Sequence, residues 1–282
     1  MPQASTGSGS GSPTLLPKYQ ENETVTYTMR AINEGHEGTI RYDARAGGVV
    51  KKDASGVFFE ELAWSDVHVN GQAFPLPAGS QEFRQRLSLS PEYKVSIPDL
   101  SKSPPILIGP ITDLLTFYVD MRLAMKEKGL VRAGDHAYFK YGVPSSWADG
   151  TYTVLGQSAV DFDLTLQAID AKTQMATLVV RHVPPPESKA KLPADWMLAP
   201  VGNRPNNWVE VQKKPDGKYS AEVGQETYDV NIKYSLATGK IISATMDNPV
   251  EVMGRDCDDL ALTVCGAPIR YRIRRQITLD SE

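Results

Sequence analysis

Between Pro110 and Gly129 lies the one long, well-punctuated helix signal in a chain that otherwise alternates like sheet, and it limits the folds available. At 100° per residue, Ile111, Leu114, Leu115, Phe117, Tyr118, Met121, Leu123, Ala124 and Met125 cover well over half of its surface. Thr112, Asp113, Thr116, Asp120 and Glu127 form one narrow polar ridge. A helix of this kind needs apolar surroundings on most sides. Pro110 suits the first helical position, Lys126 and Lys128 the last turn, and Gly129 a left-handed C-terminal cap.

Around this helix the alternation has period two. Val25, Tyr27, Met29 and Ala31 alternate with polar residues, a turn spans Glu34 to Gly38, and Ile40, Tyr42 and Ala44 follow, which predicts a hairpin. Gly47-Gly48 and Asp53 to Gly56 set off strands at Val49 to Lys51 and Val57 to Val69, and Asn70-Gly71 is a hairpin turn. Phe83 to Leu89 reads as a strand, as does Tyr93 to Ile97, and Pro98 to Gly109 as an extended lead into the helix. Beyond it, His136 to Tyr141 is a short strand, a loop holds Pro144 to Trp147, and Thr151 to Leu155, Val160 to Ala168 and Gln174 to Val183 are three more strands. A Pro-rich crossing fills 184–207 before Trp208 to Gln212, Lys218 to Val223, Tyr228 to Leu236, Ile241 to Met246 and Pro268 to Leu279 resume the sheet. The fold class expected is mainly β (α+β): a large, strongly bent antiparallel sheet or half-barrel around one long central helix. Residues 1–18 read as a flexible N-terminal segment or linker and 19–282 as a single β-rich domain, since strands on each side of the crossing look incomplete alone.

With 282 residues, 41% hydrophobic and 23% charged, the chain can build a sizeable core and is too apolar to be disordered. Thirty basic residues against 34 acidic give a net charge of −4, which argues against nucleic acid as a partner. No apolar run is long enough to cross a bilayer, and the Ser/Gly-rich start resembles an appended linker or the flexible beginning of a mature exported protein. Cys257 and Cys265 sit among aspartates, Gly266 and Pro268, where a short disulfide-closed loop is expected. An oxidising compartment follows, periplasmic or secreted, with a signal peptide expected to have preceded the chain. Neither a metal nor a cofactor is expected, because the four histidines show no ligand spacing and no phosphate loop or dinucleotide fingerprint is present.

The alternation of the last strand puts Arg270, Arg272 and Arg274 outward as a solvated face and Arg275 among apolar side chains. A charge pointing inward either meets an anionic ligand headgroup, pairs with a buried acid, or is turned out by a bulge. Phe117, Tyr118, Met121 and Met125 either line a pocket for an apolar guest or fill the core. Trp196, in the crossing, joins this ligand set if the crossing acts as a lid. Asp161 and Asp163 share one strand face, which suits paired carboxylates or the wet side of a half-buried strand, and His136, beside Asp135, and His182, at the end of an apolar strand, suit proton transfer or simply strand ends. Asp256, Asp258 and Asp259 lack the spacing of a calcium loop. Gly156 to Val160 holds only the first half of a serine elbow.

The strings Ile108-Gly109-Pro110-Ile111-Thr112-Asp113-Leu114-Leu115-Thr116-Phe117-Tyr118 and Arg255-Asp256-Cys257, with Cys265-Gly266, resemble segments of uncharacterised exported bacterial proteins. A bent sheet cupping a helix is similar at fold level to the LolA/LppX-type carriers, which shelter acyl chains between sheet and helix. That resemblance implies a non-enzymatic exported protein binding a hydrophobic or amphiphilic, lipid-like molecule. The second expectation is an envelope protein-interaction module with a self-filled core. A hydrolase or isomerase using Asp161, Asp163 or His136 ranks last.

Overall fold

The computed structural model describes residues 15–94, 99–100, 103–140, 152–157, 160–185 and 194–282. Most of the N-terminal segment, the expected strand at Val95 and Ile97, the Pro144 to Trp147 loop, Ser158-Ala159 and the middle of the Pro-rich crossing lie outside them. The architecture is one large antiparallel sheet, not closed into a barrel, with one α-helix among the described residues. Its strands are β1 (Thr24–Gly35), β2 (Gly38–Lys52), β3 (Phe58–Val69), β4 (Gln72–Ala73), β5 (Gln85–Leu87), β6 (His136–Phe139), β7 (Tyr152–Gln157), β8 (Asp161–Asp170), β9 (Met175–Val183), β10 (Asn206–Lys213), β11 (Tyr219–Glu226), β12 (Tyr228–Ser235), β13 (Lys240–Cys257) and β14 (Ile269–Ser281). The helix α1 (Pro105–Lys126) lies in sequence between β5 and β6.

The strand order is β4-β3-β2-β1-β14-β13-β12-β9-β8-β6, so the first and last long strands are neighbours and α1 links elements near opposite edges. A fork arises at β13. Its first half pairs with β12 and its second half with β11 in one register, from Ser243↔Lys233 through Asp247↔Asp229 to Cys257↔Tyr219. Thr227 alone separates the two, its N–H donating to the Pro249 carbonyl. On the far side of this line β9 holds β12 while β10 and then β7 hold β11. Pro249, which cannot donate, sits at this break, where the ladder already changes partner.

The β13–β14 register, continuous from Ser243↔Asp280 to Gly254↔Ile269, separates two faces. Ala244 and Met246 share a face with Ile277 and Leu279 and pack in the main core with α1. Met253, seven residues on from Met246, faces the other way, with Arg270 opposite it. It belongs to a smaller outer core with Met197, Val209, Val211, Ala221, Val223, Cys257 and Leu262. In the main core Ile111, Leu114, Phe117 and Met121 are 0% exposed, each contributing about 1.5–3 kcal/mol of apolar burial.

Several boundaries differ from the sequence reading. α1 begins five residues early: Pro105 occupies the first helical position, whose N–H would be unpaired anyway, and Pro110 lies inside the helix. It ends at Lys126 with Glu127 extended, so Gly129 is not its cap. β2 runs through Gly47-Gly48 without a break, because a Cβ at Gly48 would stand 1.9 Å from the Glu61 carbonyl oxygen and only glycine permits that approach to β3. β13 extends eleven residues past Met246, carried by two partner strands. Only Gln85–Leu87 of the Phe83 to Leu89 stretch pairs as strand. The hairpin at Asn70-Gly71 forms with both residues at positive φ.

Candidate functional site

From the polar ridge of α1, Asp113 and Asp120 turn to the sheet, while Thr112 and Thr116 are half-buried and donate to the helix's own carbonyls. Asp113 and Asp120 are seven residues apart, which brings them to one side of the helix about 10 Å apart along its axis. Both are buried, at 3% and 0% exposure. Each meets a cationic or ionisable side chain from the inner face of the sheet.

Arg275 comes inward from β14, as the alternation requires, and its Nη2 donates to Asp113 Oδ1 at 2.8 Å and Oδ2 at 3.1 Å. Tyr42 of β2 donates its hydroxyl to the same Oδ2 at 3.1 Å. Burial pushes the Asp113 carboxyl up while the guanidinium opposes that shift, and the Asp113 carboxylate holds Arg275 charged. Two donors converging on acceptor oxygens are satisfied by the carboxylate form, so the pair is ionised. Burial first, then Asp113, raises the Tyr42 phenol, which keeps it a donor. The Arg275 side chain remains 29% exposed against 4% for Asp113. Asn33 on β1 and Asn248 on β13 stand opposite Arg275.

Farther along the helix, His182 Nε2 lies 3.0 and 3.2 Å from the Asp120 carboxylate oxygens. Its ring stacks on Tyr228 at 5.2 Å and meets the edge of Phe162 at 4.8 Å, its cross-strand neighbours on β12 and β8. Asn206 donates to the His182 carbonyl at 2.7 Å, which ties the start of β10 to the end of β9 across the fork. A third anchor joins the helix to β3. Tyr118 and Tyr27 donate to Glu60 Oε2 at 2.7 and 2.8 Å, and their own hydroxyls are 2.8 Å apart. Burial pushes the Glu60 carboxyl up, against the pull of the tyrosine donors.

Of the residues singled out from the sequence, the structure thus brings Phe117, Tyr118, Met121 and Arg275 to the inner face, with Met125 half-buried at the end of α1. Trp196 is elsewhere. It packs in the outer core, its indole N–H donating to the Leu262 carbonyl at 3.2 Å and its ring facing the Arg255 guanidinium at 5.1 Å. The described end of the Pro-rich crossing therefore lies on the face opposite α1. Cys257 and Cys265 form the expected disulfide, closing the loop around Leu262. His136 and Asp163 hydrogen-bond on the outer face, where Tyr138 also donates to Asp161 at 2.8 Å. Burial, with that bond, pushes the Tyr138 phenol up to about 12. His136 is 55% exposed, and Asp163 stands opposite Arg181, itself 3.1 Å from Asp229, which is the pattern of a surface charge ladder. Asp161 departs from the wet face expected for it and is 2% exposed.

The sequence marks His182 as a candidate for proton transfer, but it does not mark Asp120 or Glu60 as site residues. Seven-residue spacing of two aspartates on an apolar helix, and Glu60 sharing a strand face with Leu62 and Trp64, are the signals that mark buried carboxylates. The three anchors hold the helix on the sheet, and Arg275 is the most exposed side chain among them. Among the described residues no group of three or more His, Cys, Asp or Glu side chains is placed to hold a metal, and no helix is long and apolar enough to cross a membrane.

No protein-family model and no curated protein matches the chain. A solved structure described as "Asymmetric conductivity of engineered proteins" aligns over 93% of this chain and 100% of its own at 6% identity, with a TM-score of 0.21, a likeness too slight to support any inference.

Proposed function

We propose that the protein is a non-enzymatic exported binding protein for an amphiphilic, lipid-like molecule held between α1 and the inner face of the sheet. The observation that carries this reading is Arg275: an ionised guanidinium, partly exposed, at the rim of an apolar interface built from Phe117, Tyr118 and Met121. A polar head meets Arg275 there and the chain runs toward Met125, about 18 Å along the helix axis. Because Phe117 and Met121 are fully buried, uptake requires α1 to shift on its polar anchors. The disulfide supports a periplasmic or secreted location. A second reading, an envelope interaction module with a self-filled core, draws support from that same complete burial.

Native mass spectrometry of the purified protein, with organic extraction and a fluorescent fatty-acid titration, tests the first reading. Expected are a released amphiphile or saturable uptake, diminished in Met121→Trp whose near-ultraviolet dichroism matches wild type. A clean apo mass with no uptake would sink the carrier reading and leave the interaction module.

A further inference from the structure

On the outer face, away from α1, β14 carries Arg270, Arg272 and Arg274 at every second residue, about 7 Å apart. Extended strands often display charges in this way, and solvation alone explains them unless something is built over them. Here residues 200–204 pass above the β13–β14 pair. Arg270 Nη1 donates to the Val201 carbonyl at 3.2 Å, the Gly202 N–H donates to Gln225 Oε1 at 2.5 Å, and Arg204 Nη1 donates to Thr227 Oγ1 at 3.2 Å. Between this segment and the end of β1 lies a groove of about 420 Å³, lined by Arg204, Arg272, Arg274, Glu34, Asp247 and Pro249. That volume falls in the range of small-molecule sites.

The charges in the groove are unequally occupied. Asp247 holds Arg274 in a two-point pair, Nε to Oδ1 at 2.9 Å and Nη2 to Oδ2 at 3.1 Å, which fixes that guanidinium in place. Arg272 reaches Glu251 at 3.4 Å and its side chain stays 84% exposed. Glu251 lies under the overlying segment, where a Cβ on Gly202 would fall 1.5 Å from its carboxylate, and its contact with Arg272 leaves most of that guanidinium in solvent. Arg204 has a buried Nε with no hydrogen-bond partner among the described residues. The groove therefore sets three guanidiniums against the two lining carboxylates of Glu34 and Asp247, and the Arg272 guanidinium is the one most open to solvent. Planar N–H forks fit oxyanions at two points, and a positioned pair of them is the arrangement that binds phosphate.

We propose that this groove is an oxyanion site that takes a phosphate group, carried by a free phosphate compound or by a lipid headgroup, with Arg204 and Arg272 as its donors and Arg274 as a fixed wall. The site is on the opposite face from the inner-face binding reading and stands without it.

The full chain is titrated with pyrophosphate by calorimetry and, separately, floated with phosphatidylcholine vesicles containing or lacking phosphatidic acid. Wild type is compared with Arg204→Gln/Arg272→Gln and with Arg181→Gln, an outer-face arginine outside the groove. Saturable pyrophosphate binding that weakens about tenfold or more in the double variant, and is kept in Arg181→Gln, supports a free phosphate source. Flotation that depends on phosphatidic acid and is lost in the double variant supports a membrane source. Binding to neither probe, or equal binding by wild type and a double variant of unchanged circular dichroism, overturns the proposal.

Discussion

The ion pair between α1 and β14 should behave as a coupled unit, and its removal gives a magnitude that can be worked from the geometry. Arg275→Met leaves the Asp113 carboxylate, 4% exposed, with Tyr42 as its described donor. Breaking a buried pair in this one-sided way costs about 3–5 kcal/mol, and the lower end applies because the 29% exposure of Arg275 already lets water screen the pair. Asp113→Leu strands a guanidinium that can still turn toward solvent, so its cost is smaller, about 2 kcal/mol. Replacing both removes the desolvation together with the attraction, and the double variant should lie within about 1 kcal/mol of wild type. The assay is urea unfolding followed by tryptophan fluorescence at neutral pH. With a slope of about 3 kcal/mol/M, Arg275→Met should lower the midpoint by about 1 M. Costs of the two single changes that simply add in the double variant would show that the side chains do not interact, and the anchoring of α1 would need another account.

Glu60→Gln should be more stable than wild type at neutral pH and lose that advantage on acidification. Burial raises the folded-state Glu60 carboxyl above its ordinary value, so the stability of its protonated form is complete below the unfolded value and is lost as pH rises through the folded one. Urea midpoints of both proteins across the weakly acidic range test this, and a pH-independent difference refutes it. Reducing Cys257–Cys265, eight residues apart in sequence, should cost about 2.5 kcal/mol by loop entropy and loosen the outer core around Leu262 first, seen as faster amide exchange in 257–265 than in α1. Gly48→Ala should destabilise by about 1–3 kcal/mol because its methyl group meets the backbone of β3, whereas Gly47→Ala, with open space at its Cβ, should be nearly neutral in the same unfolding assay.

Which parts of this molecule could be read from the chain depends on how far apart the interacting residues lie. Alternation in β1, β8 and β12 concerns neighbours two residues apart, and those strands stand where the pattern puts them. The early start of α1 is obscured because Pro104-Pro105 reads as part of an extended lead and Pro110 as the first helical residue, while burial of Leu107 and Ile111 in the core favours a start at Pro105. The length of β13 is hidden by Asn248-Pro249, whose missing N–H is harmless because it falls where β12 gives way to β11 while the β14 ladder runs on past it. Arg275 shows the limit most clearly. Its inward direction is a property of one strand and was legible, but its partner stands 162 residues away on the helix, and nothing local distinguishes a buried pair from a headgroup contact. The geometry makes it an anchor for α1 through Asp113 and leaves it, by its residual exposure, within reach of solvent. The outer arginines carry the converse lesson. Arg272 and Arg274 have the alternation of a solvated face, and their setting changes only because residues 200–204 cross over β14, a path that no spacing within β14 encodes.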